Sequence, residues 1–237
     1  MAVAAGPDIV EDGLDFYLDA ANSRSYSGSG TNWYDIIGNV TATVEGSTTA
    51  FSTTYQGEFT FVNKDDCVTA TYNISNLENQ NYTWMAWAKG EQISTSGHYM
   101  PDIGYGSGSW PRAGFREKQG NGWEWMSYSS GGSGTVHNMT LVSSPTPTDW
   151  ICLGFAADYD NTQTKGYYNG EHVATNSSYP DISGNTNTFG LGRAGDAHTG
   201  WNEVFEGSMS LAMIYNRVLT DAEIKQNYVA VKSRYGL

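Results

Sequence analysis

Basic charge is scarce in this 237-residue chain. It has 12 Lys and Arg against 25 Asp and Glu, a formal net charge of −13. Contact with a nucleic-acid backbone needs basic patches, and so does adhesion to an anionic membrane, so neither is expected as a main task. The sign suits a soluble, self-repelling surface, or one that works in saline water. A secretory leader is also missing. Met1 to Pro7 is small and apolar but has no basic start, and Asp8 and Glu11 interrupt it. No run reaches transmembrane length. The chain is therefore expected to be made and kept in a cytosol unless it leaves by another route. Cysteine is limited to Cys67 and Cys152, both inside predicted strands. A bridge between them would close a long loop and stabilise by about 4–5 kcal/mol. Nothing else points to an oxidising compartment, so two buried thiols are expected.

Several catalytic signatures are missing too. The four histidines show no zinc spacing, and the cysteines lie too far apart for a zinc motif. No phosphate loop, dinucleotide fingerprint or Gly-x-Ser-x-Gly elbow occurs. Gly106-Ser107-Gly108 reads as a flexible loop.

What remains is the composition of an all-β protein. Aromatics make up 14% of the chain, 28 residues are glycine, and only 16% are charged. The length fits one sandwich domain with a substantial core. Residues 1–11 read as an N-terminal arm, either frayed or in contact with a neighbour, and 12–237 as the domain. Leu14, Phe16 and Leu18 alternate with polar or aromatic neighbours, as in a half-buried strand. Short strands are predicted at Thr41 to Val44, Phe59 to Val62 and Cys67 to Tyr72. Tyr82 to Ala88 is apolar on both faces and is placed centrally. Residues 94–122 read as one long aromatic loop, and 193–206 as a second polar loop. Ile151, Leu153, Phe155 and Ala157 form another core row. Asn169-Gly170 predicts a type I′ hairpin.

The C-terminal stretch carries the clearest local signal. Met209, Leu211, Met213 and Tyr215 alternate with small residues, which predicts one core-facing row. Thr220 and Glu223 have capping-box spacing, and Leu219 and Ile224 that of a hydrophobic staple. Ile224, Tyr228 and Val231 continue as a helical stripe. A helix is predicted here, covering an edge or an end of the sandwich.

Much of this pattern resembles a known family. Ile214-Tyr215-Asn216-Arg217 with Leu219-Thr220, Glu223-Ile224 and Asn227-Tyr228 is similar to the closing strand and helix of concanavalin A-like, laminin-G-type lectin/glucanase modules. Asp12-Gly13-Leu14 to Asn22, Trp33-Tyr34-Asp35, Phe59-Thr60-Phe61 with Asp65-Asp66, and Tyr167 to Glu171 resemble its earlier segments. The resemblance implies a two-sheet antiparallel jelly-roll sandwich with a short C-terminal helix. Fold alone does not set function here, since enzymes, lectins and structural proteins share it. Retaining glucanases on this fold carry Glu-x-Asp-x-x-Glu on one strand, which brings two carboxylates about 5 Å apart. No such run exists here, and Glu117, Glu124 and Glu171 look isolated, so no enzyme is expected.

Relatives often hold calcium at the rim, and Asp65, Asp66, Asp158 and Asp160 offer oxygen ligands. The same residues also suit polar turns. Flat aromatics and planar polar groups at Tyr105, Trp110, Asp102, Arg193, Asp196, Trp201 and Asn202 form a candidate rim for glycans or for a protein partner. The opening Gly6 to Tyr26 also resembles stand-alone modules of tailed, particularly marine, phages. That resemblance implies a lectin-like virion surface protein bound to capsid or other virion proteins, as an oligomer or on a lattice, with a fibre-associated or soluble adhesin and a glycoside hydrolase as alternatives.

Overall fold

The computed structural model describes residues 7–63, 65–73, 77, 79–90, 98–105, 111–117, 122–128, 136–143, 149–180, 186–192 and 205–237, with side chains at 98–105, 111–112, 128, 136 and 186–188 outside that description. The strands are numbered in chain order. The first eight are β1 Leu14–Asp19, β2 Asn32–Tyr34, β3 Thr41–Glu45, β4 Ala50–Ser52, β5 Glu58–Phe61, β6 Cys67–Thr71, β7 Tyr82–Gly90 and β8 His98–Tyr105. The others are β9 Pro111–Glu117, β10 Gly122–Tyr128, β11 Val136–Ser143, β12 Ile151–Asp158, β13 Gln163–Tyr168, β14 Glu171–Asn176, β15 Thr186–Leu191 and β16 Gly207–Tyr215. Helix α1, Asp221–Lys232, closes the chain with a single 3-10 turn, Ser233–Tyr235.

The strands form two antiparallel sheets. The first runs β14-β13-β12-β7-β16-β5-β4, with β1 also on β16. β5 pairs with Gly207 to Met209 and β1 with Leu211 to Tyr215, so the two share one side of β16. The second sheet runs β11-β10-β9-β8-β15-β6-β3-β2. Between the sheets lies an aromatic core. Phe16 and Trp84 of the first sheet meet Phe189 of the second at ring separations of 4.7 and 5.3 Å. Phe155 meets Phe115 and Trp125. Such pairs add roughly 0.5–1.5 kcal/mol each beyond the area they bury. On one side the sheets close on each other, where the Asn176 side-chain amide donates to the Asn138 carbonyl at 3.0 Å.

A second core lies on the far face of the first sheet. Met85, Trp87, Cys152, Leu211, Met213 and Tyr215 pack under Leu219, Ile224, Tyr228, Val231 and Tyr235. The helix therefore covers the central strands of that face, not an edge or an end, which is why β7, β12 and β16 are largely apolar on both sides. The cap has the predicted chemistry. Glu223 N–H donates to the Thr220 hydroxyl at 3.3 Å, and Thr220 N–H donates to the Glu223 carboxylate at 2.8 Å. Arg217 forks onto the same carboxylate at 2.7 and 3.0 Å and also donates to the Asp12 carbonyl. The Arg217 guanidinium and the Thr220 donors overcome partial burial and hold the Glu223 carboxyl at about 2.

Two expectations about the strands change. Met209 faces the sandwich core, whereas Leu211, Met213 and Tyr215 lie under the helix, because a register shift between Met209 and Leu211 inverts the alternation. Residues 98–105 and 111–117 are paired strands rather than one loop. Pro101, the glycines and a register shift between Tyr99 and Asp102 break up the period-two pattern. Glu124 and Glu171 each have a basic partner, Arg116 and Lys225. Asn169 and Gly170 have φ of 50° and 78°, as a type I′ turn requires. Cys67 and Cys152 are buried, unbridged and in different sheets. Of the N-terminal stretch, Val10 N–H donates to Asn227 and the Val10 carbonyl accepts from the Tyr215 hydroxyl, so residues 8–10 lie against the helix layer. Residues 1–6 lie outside the described residues.

Candidate ligand-binding face

The second sheet has a face that the sandwich core does not use. Ala113, Phe115, Trp123, Trp125, Ala70 and Phe189 point into the core. Residues in the alternate phase therefore take the outer face. Register places one outer row across all eight strands: Asn138, Met126, Gly114, Asp102, Gly190, Thr69, Thr43 and Asn32. Asp102 thus sits in register between two glycines, one on each neighbouring strand. Neither glycine has a side chain to stand beside it, and Gly114, Gly190 and Met126 of this row are all buried.

The next row pairs Arg116 with Glu124 directly across β9 and β10. Arg116 Nε donates to Glu124 Oε1 at 2.8 Å, and Arg116 Nη2 donates to the same oxygen. The Glu124 side chain is only 4% exposed. A charge so far from water is tolerable only with a partner, and the guanidinium supplies one. Asp102 lies two strands and two residues from Glu124, so their backbones are roughly 12 Å apart at ordinary strand spacing. Glu117 pairs with Trp123 and belongs to the core-facing phase, on the other side of the sheet from Glu124. The face thus combines one carboxylate position among glycines, small polar residues and a neutralised ion pair.

Of the residues expected at a binding rim, Asp102 and Tyr105 lie on β8. Asp102 is in the outer row, while Tyr105, opposite Pro111, takes the phase of Ile103 and Ala113. Trp110, Arg193, Asp196, Trp201 and Asn202 lie outside the described residues. The Arg116–Glu124 pair escaped the sequence reading. Opposition of residues 116 and 124 needs a fold point centred on residue 120, and a turn at the Asn121-Gly122 dipeptide would have set 119 against 124 instead.

The four aspartates considered for calcium fall in two turns. The Asp66 carboxylate accepts from the Val62 and Asn63 amides at 2.9 and 3.0 Å, from Thr48 N–H at 3.2 Å and from the Thr48 hydroxyl. Burial pushes its carboxyl up, but these donors win and lower it. Asp65 is exposed beside it. Asp158 accepts from Asn161 and Gln163, and Asp160 from Asn81 at 2.8 Å. These are the bonds of polar turns. Among the described residues no three His, Cys, Asp or Glu come together as a metal-sized group.

Residues 62–225 match the family model described as the concanavalin A-like lectin/glucanases superfamily. The chain belongs to that family. Among curated proteins none matches this concanavalin A-like module in sequence. Solved structures share its fold. A Trypanosoma rangeli sialidase in complex with sialic acid superposes with a TM-score of 0.69 at 14% identity, over 94% of this chain and 33% of that one. The receptor-binding domain of botulinum neurotoxin type G gives 0.66 at 14% identity, over 92% of this chain and 51% of that one. The binding domain of botulinum neurotoxin serotype D gives 0.67 at 16% identity, again over 92% and 51%. The module thus spans about a third of the sialidase chain and about half of the toxin chains. Among the described residues no helix is long and apolar enough to cross a membrane.

Proposed function

We propose that this chain is a non-catalytic, lectin-like recognition module whose glycan-facing surface is the outer face of the second sheet. The observation that carries this reading is the placing of Asp102 between Gly114 and Gly190. A carboxylate accepts hydrogen bonds from sugar hydroxyls, and the glycines leave no neighbouring side chain in its row to compete for them. Acid–base hydrolysis asks for two carboxyls about 5–9.5 Å apart. The tie of Glu124 to Arg116 favours binding over turnover. The module works, on this proposal, at the surface of a tailed-phage particle, decorating the capsid. That part rests on the resemblance of Gly6 to Tyr26 to phage modules.

Glycan-array binding by the wild type and by Asp102→Ala tests the recognition surface. The expected result is a defined set of glycans, lost or weakened about tenfold in the variant. Equal binding by both proteins would sink the assignment of this face. Release of reducing sugar from a polysaccharide panel, abolished in Asp102→Asn, would make the protein a hydrolase instead. Antibody labelling of intact particles separates the settings. Label over the head supports decoration, label on the tail fibres an adhesin, and no label removes the virion from the proposal.

A further inference from the structure

The far face of the first sheet, beyond helix α1, carries features that the second sheet's role does not use. The loop joining β4 to β5 holds Tyr55 at φ 52°, ψ 29° and Gln56 at φ 70°. Two successive left-handed residues that are not glycine are unfavourable for L-amino acids. Such backbone persists where the surroundings dictate it, and it gathers at ligand clamps. Here Gly57 fixes the loop. A Cβ at that position would lie 2.3 Å from the Ala20 carbonyl oxygen, and the Ser210 hydroxyl donates to the Gly57 carbonyl at 2.6 Å. The distorted turn lays the half-buried Tyr55 ring beside Trp150 and Tyr235, with centroids at 5.5 and 6.1 Å.

Polar groups line the sheet next to that ring. Register sets Thr60, Ser208 and Lys89 in one row across β5, β16 and β7. The Thr60 and Ser208 hydroxyls are 3.2 Å apart. Glu58 is on the same face, two residues from Thr60, and only 8% exposed. The Lys89 ammonium stands 5.9 Å from the centre of the Tyr55 ring. Burial raises the Glu58 carboxyl, and the Ser208 hydroxyl and the Lys89 charge bring it part of the way back. Yet among the described residues Glu58 and Lys89 form no ion pair with each other or with any third residue. A buried carboxylate and a nearby ammonium normally close together. Here no such pair closes, and the Thr60 and Ser208 hydroxyls lie in the same row as Lys89, which stands by the Tyr55 ring.

We propose that Tyr55, Glu58, Thr60, Lys89 and Ser208 form a second binding site, for one neutral pyranose, on the sheet opposite the glycan-facing surface. The chemistry selects the ligand. Glu58 repels a free anion and Lys89 a free cation. A neutral sugar offers hydroxyl donors to Glu58 and a hydroxyl oxygen to Lys89, and its apolar ring face covers Tyr55. The site is independent of Asp102, and with both sites occupied one module would bridge two glycans.

Saturation-transfer NMR with the methyl glycosides of glucose, galactose, mannose and N-acetylglucosamine tests it. Transfer to at least one of the four is expected. Glu58→Gln and Lys89→Met should each weaken that binding about tenfold, while Asp102→Ala leaves it intact. Both changes nearly preserve side-chain shape, and either one alone decides the question. No transfer from any glycoside overturns the proposal, as does transfer that survives both changes. Loss of the signal in Asp102→Ala with Glu58→Gln unaffected also overturns it, because the sugar then sits on the second sheet. Failure of the Asp102 surface on the array leaves this site's test standing by itself.

Discussion

Arg234 should be the most costly surface-adjacent side chain to remove. Its guanidinium forks onto the Asp19 carboxylate at 2.7 and 3.0 Å, joining the end of β1 to the last turn of the chain. The two side chains are 16% and 5% exposed, so water screens the pair poorly. Replacing Arg234 by Met keeps the aliphatic stem, so packing is largely preserved and the charge is the main loss. Asp19 would then keep only the Tyr17 hydroxyl at 3.0 Å and the Ala21 amide at 2.9 Å as donors. Stranding a buried carboxylate in this way costs about 3–5 kcal/mol. At about 2–4 °C per kcal/mol for a domain of this size, the melting point should fall by roughly 6–20 °C. Urea unfolding of the wild type, Arg234→Met, Asp19→Asn and the double variant gives the full cycle. The double variant should cost less than the sum of the singles by about 1–3 kcal/mol. A loss below about 1 kcal/mol in Arg234→Met, with additive singles, would refute the reasoning and place the pair among weak surface contacts.

Other predictions concern the helix layer and the loop before β5. The folded Glu223 carboxyl is held at about 2, below the 4.5 of a free glutamate. Its contribution is complete above that free value and is lost as pH falls towards 2. With a side chain 27% exposed, the loss should be about 1–2 kcal/mol, and Glu223→Gln should flatten the acid limb of a stability-versus-pH curve. Glu58 has the opposite sign. Burial raises its carboxyl, so the charged form is a burden once pH exceeds its folded value, and the burden vanishes below the ordinary carboxylate range. Glu58→Gln should therefore melt higher than the wild type at neutral pH and equally at acid pH. A lower melting point at neutral pH would contradict this. Gly170→Ala should cost about 2 kcal/mol or more, since φ is 78° and the new Cβ would come within 2.7 Å of Tyr228 Cβ. Unchanged urea unfolding would show that the hairpin can move away from the helix.

The legible parts of this fold are those with a short-range code. The capping box of Thr220 and Glu223, the staple and the Asn169-Gly170 turn each lie within a few residues, and each forms as its chemistry dictates. Period-two rows such as Ile151 to Ala157 identify core strands for the same reason. Long-range contacts had no such code. Asp19 and Arg234 are 215 residues apart, and no local pattern links them. The register shift in β16 adds one residue to the count, and from there the alternation points to the wrong core. Strands β8 and β9 were hidden by glycines, Pro101 and a register shift that break the alternation, so Asp102 was assigned to a loop. The left-handed pair at Tyr55 and Gln56 breaks local preference altogether, and a sequence reading had no means of placing it.

The two cores have an optical consequence. All six tryptophans among the described residues are buried. Trp33, Trp84, Trp123 and Trp125 belong to the sandwich core, while Trp87 and Trp150 belong to the helix layer. Trp87 and Trp150 both stack on Tyr235, at 4.4 and 4.5 Å. The two layers therefore emit from different surroundings. Replacing Trp87 and Trp150 by Phe leaves fluorescence that follows the sandwich, and the difference from the wild type follows the helix. If the two signals separate on heating, the C-terminal helix can lift from the sheet while the jelly roll stays folded. If they coincide, the helix is part of the unit that folds.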